Sequence, residues 1–219
     1  YANRIPFDIK PGNLVVNIEF EESESYNIVS GIKGQNSSLS PIVVMTPRSG
    51  WWHCASERGG GIACWLEVMR AIKNEGSLRD VFFVATSAHE LGAQGIHAFL
   101  DNRPEFAQQV HTWIHFGANV GASQMPGARY STTDEALALE TNRVLNMAGI
   151  YDVNSTESGI MLGRESLEVS KRGGRIVALV GTNALFHLES DRWPESVDVN
   201  KVASFSNAFI ELSLQLTRS

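Results

Sequence analysis

Short apolar runs and longer stretches with helical periodicity alternate along this chain. Residues 41–46 (Pro-Ile-Val-Val-Met-Thr), 81–85 (Val-Phe-Phe-Val-Ala), 113–116 (Trp-Ile-His-Phe) and 176–180 (Ile-Val-Ala-Leu-Val) are near-continuous apolar runs, the mark of strands covered on both faces. Residues 14–20 partly alternate apolar with polar, and 26–32 follow after a short acidic turn. Two such segments so close together predict an antiparallel hairpin. After Gly59, Gly60 and Gly61, residues Ile62, Trp65, Leu66, Met69 and Ile72 lie on one face of a helix that should end near Gly76. Thr132 and Glu135 have the spacing of a capping box ahead of Leu137, Leu139 and Val144. Val202, Phe205, Phe209, Leu212 and Leu216 trace a final apolar stripe. His97 and His111 are placed on helices, and the polar segment 34–40 reads as a turn between strands.

Buried strands alternating with helices after an antiparallel start predict an α/β protein. The expected architecture is three-layer α/β/α around a central mixed, mostly parallel sheet. We read residues 1–219 as a single domain. The chain opens on Tyr1 rather than Met, which makes it a processed piece and leaves an upstream domain open. Ligands of such sheets bind at the carboxyl ends of the central strands.

Composition narrows the function classes. With 43% hydrophobic and 19% charged residues the chain is not disordered. No apolar run approaches the roughly 20 residues of a membrane span. A net charge of −6, from 18 basic and 24 acidic residues and with no Lys/Arg stripe, argues against nucleic acid as a partner. Two cysteines, Cys54 and Cys64, make no disulfide framework and leave the compartment unassigned. Six histidines leave room for a metal site or acid–base chemistry.

The polar residues gather after four strands, in segments 46–61, 87–92, 117–119 and 186–194. His89 next to Glu90 suits an acid/base with a carboxylate to orient it, part of a one-metal site with His187, or a buried pair tied into local hydrogen bonds. Position 93 is Ala, so no His-Glu-x-x-His zinc helix forms. His187 and Asp191 are either a histidine oriented by a carboxylate or parts of a structural loop. Gly59–Gly61 with Arg48 and Arg58 either hold a carboxylate or phosphate, or simply let a helix approach a strand closely; Ile62-Ala63 excludes a Walker motif. Trp51 and Trp52 are walls of a pocket or core under a long loop. Cys54 beside His53 raises a thiol nucleophile against an inert loop cysteine, and Cys64 belongs to packing. His115, two residues before Gly117, faces either pocket or core.

Taken in order, these segments resemble the co-catalytic zinc aminopeptidases, whose relatives include glutaminyl cyclases and several non-enzymatic ectodomains. The residues that carry the resemblance run from about Asn27 to Leu216: Arg48-Ser49-Gly50; Ser56-Glu57-Arg58-Gly59-Gly60-Gly61 with Leu66-Glu67; His89-Glu90-Leu91-Gly92; Gly117; and His187 with Asp191. The resemblance implies a zinc-aminopeptidase-like fold, with zinc ligands at Arg48, Ser56, Glu90, Gly117 and His187 and the general base at His89. Only Glu90 and His187 among them bind zinc well, because glycine has no side chain, a serine hydroxyl is a poor ligand and arginine stays cationic. The two-zinc mechanism is therefore rejected on ligand chemistry. A Glu57–Arg48 or Glu57–Arg58 ion pair is expected in place of the metal. The reading is a divergent, metal-poor member whose cleft takes a small-molecule, peptide-like or carboxylate ligand through Arg48, Trp51, Ser56, Glu57, Arg58 and His115. It leaves a protein partner open and expects no cofactor, with zinc on Glu90 and His187 if a single ion binds. The alternative is a hydrolase with a rebuilt centre drawn from His89, Glu90, His187 and Asp191, with Glu57 or His115 in support.

Overall fold

Successive strand residues point to opposite faces of a sheet, so continuous apolar runs need cover on both sides. The computed structural model, which describes residues 15–156 and 160–218, supplies that cover. In chain order it holds β1 (Ile28–Ile32), β2 (Ile42–Pro47), a π-helical turn (Ala55–Gly59), α1 (Gly60–Glu75), β3 (Val81–Thr86), α2 (Gln94–Asp101) and α3 (Phe106–Gln109). Then follow β4 (Thr112–Phe116), β5 (Gly127–Thr132), α4 (Glu135–Met147), β6 (Asn154–Ser155), α5 (Arg164–Lys171), β7 (Ile176–Thr182) and α6 (Val199–Arg218). The seven strands form one sheet in the order β1-β3-β2-β4-β7-β5-β6. Pairings β3–β2, β2–β4, β4–β7 and β5–β6 are parallel, whereas β1–β3 and β5–β7 are antiparallel. The predicted three-layer, mixed and mostly parallel architecture is the one observed.

Parity sorts the core. Ile42, Val44, Phe83, Ile114, Phe116, Val177 and Leu179 face α1, α4 and α6, where Trp65, Val68, Leu145, Phe205 and Phe209 meet them. Val43, Met45, Val84, Trp113 and Ile176 face α2, α3 and α5, where Ile96, Phe99, Leu100, Ala107 and Val169 pack. Two residues beyond Trp113, His115 falls on this second face and is fully buried. The central runs 41–46, 81–85, 113–116 and 176–180 are thus strands, as read, and the stripes after Gly61 and from Val202 are α1 and α6. Among the described residues no helix is long and apolar enough to cross a membrane.

Four expectations are corrected. Residues 15–27 form no strand and leave Val15, Val16, Ile18 and Phe20 exposed; Leu14 lies outside the described residues. The antiparallel partner of β1 is β3, not a hairpin neighbour. Alternation records a capacity to bury one face, and here no free sheet edge takes that face up. The cap of α4 is Asp134, whose Oδ1 accepts from the Leu137 N–H at 2.8 Å, and not Thr132. His97 lies on α2, but His111 precedes β4 in a bend, its N–H bonded to the Pro41 carbonyl. Helix α5, strand β5 and the short edge strand β6 carry too few apolar residues to stand out in the sequence.

In the glycine triplet, Gly60 and Gly61 let the start of α1 come close to neighbouring backbone. A Cβ on Gly60 would lie 1.8 Å from the Val120 carbonyl oxygen, and one on Gly61 2.9 Å from that of Gly117, whereas Gly59 has nothing within 4 Å. Gly60→Ala should therefore lower the unfolding free energy by about 1–3 kcal/mol. Gly59→Ala, at helical φ and ψ, should be neutral or stabilise by up to about 1 kcal/mol. Urea denaturation of the two variants checks this contrast.

Candidate functional site

Strands β2, β3, β4 and β7 run parallel, so the loops that leave their carboxyl ends meet at one edge of the sheet. Each loop holds a non-glycine residue in the left-handed region: Cys54 (φ 49°), Ala88 (φ 52°), Asn119 (φ 63°) and His187 (φ 62°). Backbone strain of this kind persists only where surroundings over-determine it, and it gathers at functional sites. Asp191 is one of the ties. Its Oδ1 accepts from the Ser56 N–H at 2.9 Å and the Ser56 hydroxyl at 2.8 Å, and its Oδ2 from the Glu57 N–H at 2.9 Å. The Asn183 side-chain amide donates to Ser56 Oγ at 2.7 Å. Buried Asp191 and Ser56 thus lock the last loop onto the π-helical turn, and Asp191 does not orient His187.

Arg58 sits at the centre. Its side chain is 4% exposed, and its Nη2 lies 3.0 Å from Glu57 Oε1 and 2.7 Å from Glu90 Oε1. Its Nε donates to the Ser49 carbonyl at 2.6 Å, while the Ser49 hydroxyl donates to Glu90 Oε2 at 3.0 Å. His187 Nε2 approaches Glu57 Oε1 at 3.4 Å, and Cys54 Sγ donates to Glu57 Oε2 at 3.5 Å. Burial works to raise the Glu90 carboxyl, but the Arg58 hydrogen bond and charge, with the Glu90 N–H and Ser49, hold it below the ordinary carboxylate range. Of the two expected ion pairs, Glu57–Arg58 forms and Glu57–Arg48 does not. The Arg48 guanidinium bonds to the Tyr26 carbonyl instead.

A second cluster lies behind the first. His89 Nδ1 is 2.7 Å from Glu165 Oε1, and Glu165, on α5, is 1% exposed. A carboxylate only accepts, so the proton of this bond is carried by Nδ1. The partner of His89 is therefore Glu165 and not the adjacent Glu90. His115 Nε2 stands 3.8 Å from Glu165 Oε2, and neither His115 nitrogen has a hydrogen-bond partner among the described residues. Burial pushes the His115 imidazole down to about 4, with Glu165 pulling upward and His89 and Arg58 pushing further down. Burial would raise the Glu165 carboxyl; the His89 bond and the field of both imidazoles outweigh it and lower it.

Two adjoining cavities open over these clusters. The larger, about 630 Å³, is lined by Trp51, Trp52, His89, Glu90, Arg164, Phe186 and His187. Trp51 and Trp52 are more than half exposed, walls rather than core. The smaller, about 400 Å³, reaches His115, Gly117, Asn119 and Glu165, and shares His89, Arg164 and Phe186 with the first. Arg48 lines neither cavity, and Ser56, Glu57, Arg58 and Asp191 lie beneath them. Cys54 is buried, and its thiol is raised by burial first and the Glu57 charge among the lesser causes, which suits a protonated thiol and not a nucleophile. Burial pushes Cys64 up to about 11, packed against Ser206. Among the described residues no three His, Cys, Asp or Glu side chains gather so as to hold a metal ion. Glu165 and Arg164 escaped sequence reading. They stand on a short helix whose only buried apolar residue is Val169, and Glu165 meets His89 across 76 residues of chain.

No protein-family model and no curated protein matches the sequence. Among solved structures the chain is similar to BSAP, a zinc aminopeptidase from Bacillus subtilis, with a TM-score of 0.77 and 16% identity over 88% of this chain and 50% of that one. It is also similar to an aminopeptidase from Aneurinibacillus sp. strain AM-1, with a TM-score of 0.74 and 14% identity over 88% of this chain and 48% of that one. The γ-secretase component nicastrin matches with a TM-score of 0.69 and 12% identity, over 88% of this chain and 43% of that one. These likenesses show the fold, that of the zinc aminopeptidases. The chain spans about half the length of the structures it matches.

Two outcomes follow from the buried charges. Arg58→Ala leaves Glu57 and Glu90 without their cation and should cost about 3–5 kcal/mol of stability, measured by denaturant unfolding. For His115 the folded group binds its proton only near pH 4 while the unfolded one binds near 6.5, so the unfolded state holds more protons between those values. Stability should therefore be intact above pH 6.5 and fall toward pH 4, by up to about 3 kcal/mol, and His115→Met should flatten that window. Thermal melts across the pH range measure the difference.

Proposed function

We propose that this chain is a divergent aminopeptidase-fold domain whose strand-end cleft takes a peptide-like or small carboxylate ligand and does not run two-zinc hydrolysis. One observation carries the reading: the Arg58 guanidinium lies within ion-pair distance of both Glu57 and Glu90. A co-catalytic zinc pair needs a bridging carboxylate and free flanking donors. Here the two carboxylates at that edge already face a fixed internal cation, which would repel a divalent ion. Glu90 spends both oxygens, on Arg58 and on Ser49. Gly117 offers no donor, and Arg48 is turned to the Tyr26 carbonyl. The residues present do not fit the metal pair, and the proposal includes no cofactor. What supports a ligand is the cleft itself, with aromatic walls and a volume in the range of small-molecule sites.

A second reading, a hydrolase with a rebuilt centre, is favoured by the His89–Glu165 pair. In that reading the carboxylate fixes the tautomer, His89 Nε2 takes a proton from a water or hydroxyl in the cleft, and Glu90 and His187 flank the reacting group.

Elemental analysis separates the two. After incubation with excess zinc and gel filtration, the protein should carry far less than one zinc per chain and turn over no aminoacyl or peptide chromogenic substrate. Stoichiometric zinc, or turnover abolished by a chelator, would overturn the proposal. Turnover indifferent to chelators and lost in His89→Ala would establish the second reading.

A further inference from the structure

Arg164, the first residue of α5, differs from the other arginines near the cleft. Arg58 is committed to Glu57 and Glu90, and Arg48 to the Tyr26 carbonyl. The Arg164 side chain is exposed and makes no hydrogen bond or ion pair with any described residue. It is one of three residues, with His89 and Phe186, that line both cavities, so it stands at the waist of one continuous cleft.

The charges around it leave that guanidinium as the group in want of a partner. Glu90 accepts from Arg58 and Ser49, and buried Glu165 accepts from His89. Buried Glu57 lies against Arg58 and His187. Each carboxylate of the floor thus faces an internal donor, and the solvent-facing charge of the walls is the Arg164 cation. Its planar fork matches a carboxylate in two-point geometry. Beside it the larger cavity presents Trp51, Trp52 and Phe186, the last stacked on His187 with ring centroids 3.8 Å apart. Exposed aromatic faces of this kind take up an apolar or flat group at little entropic cost.

We propose that Arg164 anchors the free carboxylate of a peptide or N-acyl amino acid whose large apolar side chain lies against Trp51, Trp52 and Phe186. The inference rests on reading the cleft as a ligand site and adds the ligand's class and its anchor. Calorimetric titration with N-acetyl-L-phenylalanine and with its amide, on wild type and Arg164→Gln, tests it. The acid should bind wild type with a dissociation constant below ~10 mM and the amide at least ~10-fold more weakly. Arg164→Gln should reduce the acid to the level of the amide and leave the amide unchanged; the substitution is at an exposed residue, and an unshifted thermal melt checks folding. Equal binding of acid and amide to wild type would overturn the anchor while leaving the cleft a ligand site. Equal weakening of both by the substitution would overturn the anchor in the same way. Failure of both to bind wild type would overturn the ligand reading itself.

Discussion

A guanidinium cannot shed its proton in a protein, so burying one obliges the fold to bring carboxylates to it. Arg58 imposes that obligation at the carboxyl edge of the sheet, held between Glu57 and Glu90 and anchored through its Nε to the Ser49 carbonyl. The loop after β2, the π-helical turn and the loop after β3 are thereby joined through one side chain. Asp191 adds the loop after β7 by accepting three hydrogen bonds from Ser56 and Glu57. Without these contacts the loops after β2, β3 and β7 would share only an edge of the sheet; with them they are tied together.

The cation between Glu57 and Glu90 is a side chain of the protein itself. A fixed guanidinium neutralises carboxylates but has no open coordination position at which to activate a water. The cleft above it is accordingly shaped by aromatic side chains and by the His89–Glu165 pair. His115 lies fully buried beside that pair, with neither nitrogen hydrogen-bonded to any described residue.

Legibility in the sequence followed range. The runs that became β2, β3, β4 and β7 were readable because both faces of each strand are covered, and the glycine triplet, Glu57, Arg58, His89 and Glu90 could be placed at the strand ends by spacing. What those residues touch could not be read so well. Glu57 had two arginines within reach in sequence, and the loop after β2 carried Arg48 off to Tyr26 and left Arg58 to it. His89 seemed suited to the adjacent Glu90, yet consecutive residues after a strand diverge, and its partner came from a helix 76 residues away. The alternation of residues 14–20 suggested a strand, but alternation records only a capacity to pair, and β1, at the end of the sheet, pairs with β3.

The sequence by itself determined the layered α/β architecture and the edge at which polar residues collect, because periodicity and strand parity are written in local patterns of residues. The tertiary structure alone decided which groups face each other: Arg58 with Glu57 and Glu90, Glu165 with His89, Asp191 with Ser56, and Arg164 with no described residue. Such pairings depend on distances of a few ångströms between residues far apart along the chain. Coulomb and desolvation energies change by several kcal/mol over that span, and no local pattern records them.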